Sequence, residues 1–250
     1  MAGTLVGRVA VVTAGGSGIG AATARRFARE GVRVLVADLS GRRAEAVATE
    51  IASTGARAEW LKMDAADPDG AQAAVRRALD TWGRLDIMVN NAGHAEVAPL
   101  DEITIEGWNR VLAVTLTGAF LGMKYCLPVM RRQGGGAIVN TASINALQPG
   151  DMQGIYSISK AAVVNMTKAF AKECGRFGIR VNALLPGLTR TKFAGALFET
   201  KSIYDDWMGR IPLRRHAEPG EMAGTVLYLV SDASSYTNGE CIVVDGGLTI

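Results

Sequence analysis

Seven short runs of mostly apolar, β-branched residues recur along this chain, at 9–13, 33–38, 59–62, 86–90, 137–141, 180–185 and 241–244. Alanine-rich stretches of helical length separate them, near 18–30, 41–54, 68–82, 102–132, 155–178 and 218–231. Strands that are apolar throughout need cover on both faces, and helices between successive strands supply it. That pattern predicts a parallel sheet. Right-handed crossovers then give an α/β, doubly wound, Rossmann-like sheet of about seven strands with helices on both faces. Aromatics are only 6% of the 250 residues, while Ala and Gly abound, which suits close helix–sheet packing. No internal repeat, low-complexity tract or linker interrupts the pattern, so a single domain over 1–250 is expected.

Several function classes are disfavoured. The formal net charge is +3 and the basic residues are scattered, so no run of like charge marks a nucleic-acid or anionic-membrane partner. Cys126, Cys174 and Cys241 lie far apart, and there are only two histidines. No metal-ligand spacing results, and free thiols fit a reducing compartment. No run of some eighteen apolar residues suggests a membrane span. "VGRVAVVTAGG" passes straight into a glycine loop with no basic segment before it, so it reads as a strand and not a signal peptide. A cytoplasmic address is the expectation.

The loop "VVTAGGSGIG", residues 11–20, closes the first strand and opens the first helix. Its glycines let backbone amides approach a pyrophosphate, and a helix N-terminus favours negative charge. The register is open: Gly16, Ser17, Gly18, Ile19, Gly20 and Ala21 fit G-x-G-x-x-A, yet Gly18 and Gly20 also fit a wider spacing. Asp38 ends the second strand. A carboxylate there accepts hydrogen bonds from the adenine ribose hydroxyls and repels a 2′-phosphate, which selects NAD. The same residue also suits a helix N-cap.

"YSISK" sets Tyr156 and Lys160 about one helical turn apart. An apolar stripe at Val163, Met166, Phe170, Cys174 and Phe177 follows, and carried backwards it reaches both residues. They are expected to face inward, near the carboxyl edge of the sheet where ligands of such folds bind. A phenol beside an ammonium reads as the edge of an amphipathic helix or as a proton donor whose pKa, ordinarily about 10, is lowered by the neighbouring charge.

Six segments occur here in a familiar order: "TAGGSGIG", "NNAG" at 90–93, Ser143, "YSISK", "RVNALLPGLTRT" at 180–191 and "VDGG" at 244–247. The chain resembles the short-chain dehydrogenase/reductase family, in its single-domain branch of about 250 residues, over essentially its whole length. Ser143 and Tyr156 stand thirteen apart, as that family commonly has them. The resemblance implies an NAD(H)-dependent oxidoreductase interconverting a secondary alcohol and a ketone. Ser143, Tyr156 and Lys160 would do the chemistry, with Tyr156 as general acid/base and Lys160 also on the nicotinamide ribose. Gly16, Ser17, Gly18, Ile19 and Gly20 would form the cofactor loop and Asp38 would hold the ribose. Asp64 would meet the adenine, unless it is a turn or cap residue. Asn91, Ala92 and Gly93 would pass beneath the cofactor, and Pro186, Gly187, Leu188 and Thr191 would flank the nicotinamide. A homotetramer is implied as well.

Two positions depart from that family. Its glycine loop usually begins T-G, whereas this one has Thr13-Ala14, which is tolerated at negative φ. Thr115 stands where an asparagine often places a water linking the lysine to solvent, so Thr115 is the expected member of the proton relay. Substrate walls are expected from His94, Ala95 and Glu96, and from Asn145, Gln148, Met152 and Gln153. Asn145 and Gln153 either read a second polar group or bind each other. Residues 188–215, rich in turn residues with Phe193, Phe198, Trp207 and Met208, read as a substrate lid or a small helical subdomain. Two rival readings stand: an NADP(H)-dependent 3-oxoacyl-type reductase, kept alive by Arg42 and Arg43, and a catalytically weak NAD-binding sensor or scaffold.

Overall fold

The computed structural model describes residues 5–250. Seven parallel strands form one sheet: β1 (Val9–Thr13), β2 (Arg33–Asp38), β3 (Ala58–Lys62), β4 (Ile87–Asn90), β5 (Gly136–Thr141), β6 (Ile179–Pro186) and β7 (Cys241–Val244). Their order is β3-β2-β1-β4-β5-β6-β7. The sequence-predicted strands are all present, with ends shifted by a residue or so. Alternate residues of each strand serve opposite faces. Ala10 and Val12 pack with α1 (Gly18–Arg29), α2 (Gly41–Ser53) and α9 (Pro219–Val230). Val9 and Val11 pack with α3 (Pro68–Trp82), α5 (Gly118–Gln133) and α6 (Gly154–Cys174). Two-sided burial is why inner strands such as β1 and β4 read as unbroken apolar runs.

The helix expected near 102–132 is present as one continuous run from 105 to 133, with a π-helical turn inside it. α4 (Ile105–Leu112) passes through a π-helical turn at Ala113–Thr117 before α5 begins. Residues 105–133 together are long and apolar enough to suit a bilayer by composition, but half of the most apolar stretch is buried in this fold. Part of that burial is against β4, where Gly122 of α5 comes so close that a side chain there would strike Asn90 Oδ1. Asn90 Nδ2 donates to Asn140 Oδ1 (2.8 Å), and Asn140 Nδ2 donates to Thr167 (2.9 Å). This buried ladder ties β4 to β5 and β5 to α6.

Chain order reverses between β1 and β4, its neighbour in the sheet. The loops after those two strands therefore diverge and leave a crevice at their carboxyl ends. Within the proposed lid, two helices form, α7 (Gly195–Glu199) and α8 (Lys201–Arg210).

Candidate active site

One cavity of about 730 Å3 fills the crevice. Ser17, Gly18 and Ile19 line one end with Asp38 and Asp64; Ser143, Tyr156 and Lys160 line its wall; Leu188, Thr191, Phe193 and Trp207 close it from the side of residues 188–215. Asn91, Ala92, Gly93, Pro186 and Gly187 line the middle. Residues from the carboxyl ends of β1 to β6, with α6 and α8, thus converge on a volume suited to a cofactor and a small substrate.

At the glycine end, Ser17 stands at the N-cap of α1 in extended conformation without a side-chain cap, and no acidic residue lies in the first turn. The opening amides therefore lack an internal acceptor. Gly18 needs its glycine, since φ is +51° and a side chain would press on Thr191. Gly16 and Gly20 serve packing and do not line the cavity. The Gly16 N–H donates to Asp38 Oδ2 (3.0 Å), and a side chain at Gly20 would meet the Ala14 carbonyl. Ala14 corrects one expectation. Its φ is +48°, so the alanine is held in the left-handed region that costs an L-residue roughly 1–2 kcal/mol.

Asp38 is buried and accepts from Gly16, from the Ser40 N–H (2.9 Å) and from Arg43 Nη2 (2.9 Å). Of the neighbouring pair, Arg43 and not Arg42 lines the cavity. Asp64 Oδ1 accepts from the Ala66 N–H (2.9 Å), and its other oxygen pairs with Arg110 (3.4 Å). It is a turn residue and a cavity wall together.

Tyr156 and Lys160 lie in the first two turns of α6 and are buried, as is Ser143. Lys160 Nζ donates to the Thr141 carbonyl (2.6 Å) and sits 5.5 Å from the Tyr156 ring centre. Burial pushes the Tyr156 phenol up to about 12, against a hydrogen bond with Ser143 that pulls it down. Ser143 Oγ also accepts from the Asn145 N–H (3.1 Å). Burial also pushes Lys160 down to about 7. The expected depression of the phenol pKa is therefore absent from this protein by itself. Each group is desolvated, and Lys160 Nζ lies over the Tyr156 ring.

The model of the family described as enoyl-(acyl carrier protein) reductase matches residues 13–249. The cis-4-hydroxycyclohexanecarboxylate dehydrogenase of Sinomonas cyclohexanicum is 41% identical over 97% of this chain and 96% of its own. A short-chain type dehydrogenase/reductase from Mycobacterium marinum superposes with a TM-score of 0.93 at 36% identity, covering 98% of this chain and 96% of its own. A Beutenbergia cavernae protein provisionally assigned as an NAD(P)-dependent gluconate 5-dehydrogenase, solved with NADP at low occupancy, gives 0.93 at 40% identity over 98% and 97%. The chain belongs to the short-chain dehydrogenase/reductase family.

In this dehydrogenase/reductase, the outlying site residues are placed as follows. Thr115 is buried in the π turn and does not line the cavity. Its Oγ1 accepts from the His94 N–H (3.0 Å) and donates to the His94 carbonyl (3.2 Å). His94 is exposed at the rim. Asn145 Nδ2 donates to Gln153 Oε1 (2.6 Å), so the two walls bind each other. Glu96, Gln148 and Met152 do not line the cavity. Sequence reading missed Thr13, whose Oγ1 accepts from the N–H of Asn91 (2.9 Å) and of Ala92 (3.1 Å) and so locks the β1 and β4 loops together. It also missed Thr141, which acts through its carbonyl, and a backbone acceptor leaves no sequence signal.

Proposed function

We propose that this chain is an NAD(H)-dependent enzyme interconverting a secondary alcohol and a ketone, with Tyr156 as general acid/base. The observation that carries the reading is the burial of Tyr156, Ser143 and Lys160 on the wall of a cavity whose far end is the uncapped start of α1 beside Asp38. Those residues fit a nicotinamide dinucleotide: free amides for its diphosphate, Asp38 for its adenine ribose, Asp64 beside the adenine, and Asn91 to Gly93 beneath it. Pro186, Gly187, Leu188 and Thr191 flank the nicotinamide end, with Lys160 on the second ribose. The bound dinucleotide supplies the hydride acceptor, or the donor in reduction. In oxidation, Tyr156 Oη takes the hydroxyl proton, Ser143 Oγ hydrogen-bonds the same substrate oxygen, and Lys160 offsets the phenolate charge. Thr115 positions the peptide of His94 instead of carrying a proton, because its hydroxyl hydrogen is already given to that carbonyl.

The substrate end is mainly apolar, with Ala95, Val97, Ile144, Phe193 and Trp207. Asn145 and Gln153 satisfy each other there. We read the substrate as a compact alicyclic alcohol, and residues 188–215 as its lid. The test is a panel of cyclohexanol, cis-4-hydroxycyclohexanecarboxylate and an open-chain polyol with NAD and NADP, followed by reduced-nicotinamide absorbance. Oxidation of the polyol alone would remove the alicyclic reading; no turnover of any member would count against the alcohol reading.

Arg43 supports a second reading, an NADP(H)-dependent reductase of the 3-oxoacyl type, because its guanidinium is free to turn from Asp38 to a 2′-phosphate. Asp38 opposes it. NAD is expected to bind at least tenfold more tightly than NADP, about 1.4 kcal/mol. Asp38→Ala should narrow that gap, and Arg43→Ala should widen it by weakening NADP. Titration showing equal or tighter NADP binding to the parent would favour the second reading.

The remaining proposals concern assembly and address. Exposed Ile105, Phe120 and Ile158 on the α4, α5 and α6 surfaces, with exposed Ile250 at the end of the described chain, support a homotetramer. Light scattering at micromolar concentration that reports 26.3 kDa would rule it out. Free cysteines support a cytoplasmic location.

A further inference from the structure

The segment that covers the substrate end leaves and rejoins the fold at one neck. The Arg190 N–H donates to the Ala217 carbonyl (2.9 Å), and the Ala217 N–H donates to the Leu188 carbonyl (2.9 Å). His216 sits beside this neck with its side chain 12% exposed. Arg190 approaches its Nε2 through Nη2 (2.7 Å) and Nε (3.0 Å). A guanidinium can only donate, so Nε2 is the acceptor and the ring proton belongs on Nδ1. Nδ1 faces the Tyr204 hydroxyl at 2.8 Å. The edge of the imidazole meets Phe198 of α7, with ring centres 5.2 Å apart. Glu218 flanks both Arg190 (3.2 Å) and His216 (3.4 Å). One imidazole therefore ties the incoming segment, both short helices and the outgoing neck together.

What these ties hold in place faces the chemistry. Trp207 lies three residues beyond Tyr204 on α8 and lines the cavity. Phe193 lies three residues beyond Arg190, with its ring 5.6 Å from that of Tyr156. We propose that His216 is a positioning residue for substrate binding: by pinning Arg190 and Tyr204 it sets Phe193 and Trp207 around the reacting end of the cavity. The inference rests on reading residues 188–215 as the substrate lid. Nothing in it requires His216 to touch substrate, cofactor or proton.

The test uses His216→Ala, Tyr204→Phe and His216→Gln, with cyclohexanol and cis-4-hydroxycyclohexanecarboxylate as probes. His216→Ala and Tyr204→Phe should raise KM about tenfold, the effect of about one hydrogen bond. Their kcat should stay within about threefold and NAD affinity within about twofold, because the glycine loop and Tyr156 are untouched. His216→Gln should recover most of the loss, since its carbonyl can accept from Arg190 while its amide donates to Tyr204. Hydrogen exchange at the amides of 201–210 should quicken about tenfold in the first two variants, with the sheet unchanged. Unchanged KM and unchanged exchange in both would overturn the proposal. So would parallel losses of kcat, NAD affinity and thermal stability, or a Gln variant no better than Ala. If the parent oxidises neither probe, the alicyclic reading fails, and the exchange measurement alone decides whether His216 pins the segment.

Discussion

Tyr156→Phe is expected to lower kcat by ~10²–10⁴-fold, the range for losing a general acid–base group, while NAD affinity changes by less than about twofold. The substitution keeps the ring, its packing and the tilted contact with Phe193. It removes only the oxygen that carries the proton. Both forms should therefore unfold at similar temperatures and bind NAD alike in a fluorescence titration. The parent protein holds this phenol in a state that does not favour ionisation, since burial lifts it to about 12. Phenolate formation must then be coupled to a charge on Lys160 and to a filled cavity, because separate desolvated charges are costly and a close pair is less so. Turnover by Tyr156→Phe as fast as by the parent, with equal NAD binding, would end the acid/base assignment. Such a result would raise the sensor or scaffold reading, in which Tyr156 is only part of the cavity wall.

The sheet was legible because burial on two faces leaves apolar residues at every strand position, as in Val9 to Val12. The glycine end of the cavity was legible for a related reason: Gly18 must be glycine at positive φ, and Asp38 is fixed by its place at the end of β2. What could not be read were contacts in which a side chain answers to a distant backbone. Thr115 keeps the apolar helical spacing of its neighbours, so neither the π turn nor its two bonds to the His94 peptide leaves a mark in the sequence. Lys160 is held by the carbonyl of Thr141, nineteen residues earlier. Arg42 and Arg43 are alike by composition, and only the direction in which α2 starts gives Arg43 to Asp38. The positive φ of Ala14 was hidden as well, because alanine does not advertise a left-handed backbone. Asn145 and Gln153 read either as contacts to a second polar group or as partners of each other or of water, and the structure has them bonded to each other.

Lys160→Met should produce opposite changes in activity and stability. Lys160 is 2% exposed, and burial pushes its pKa down to about 7, whereas an unfolded lysine titrates near 10.4. Between those two values the folded protein binds fewer protons than the unfolded chain, so stability rises with pH across that window. Below about 7 the cavity wall must carry a desolvated ammonium, and the penalty is complete. Methionine has similar length and no charge. It removes that penalty but leaves the Thr141 carbonyl without its donor, a loss of about 1 kcal/mol. The net expectation at pH 6 is a variant more stable than the parent by about 1–3 kcal/mol, the range seen when buried charges give way to apolar side chains. The gain should shrink steadily towards pH 10, where the parent's lysine is neutral when folded. Activity should fall by at least ~10²-fold, since the phenolate loses its counter-charge, and NAD should bind more weakly because the ribose loses a partner. Urea unfolding at pH 6 and pH 9.5, with titration of NAD on the same samples, measures each part. A variant less stable than the parent at pH 6, or a difference that does not change with pH, would mean that Lys160 is held at no electrostatic cost, and its burial would then need another explanation than service to Tyr156.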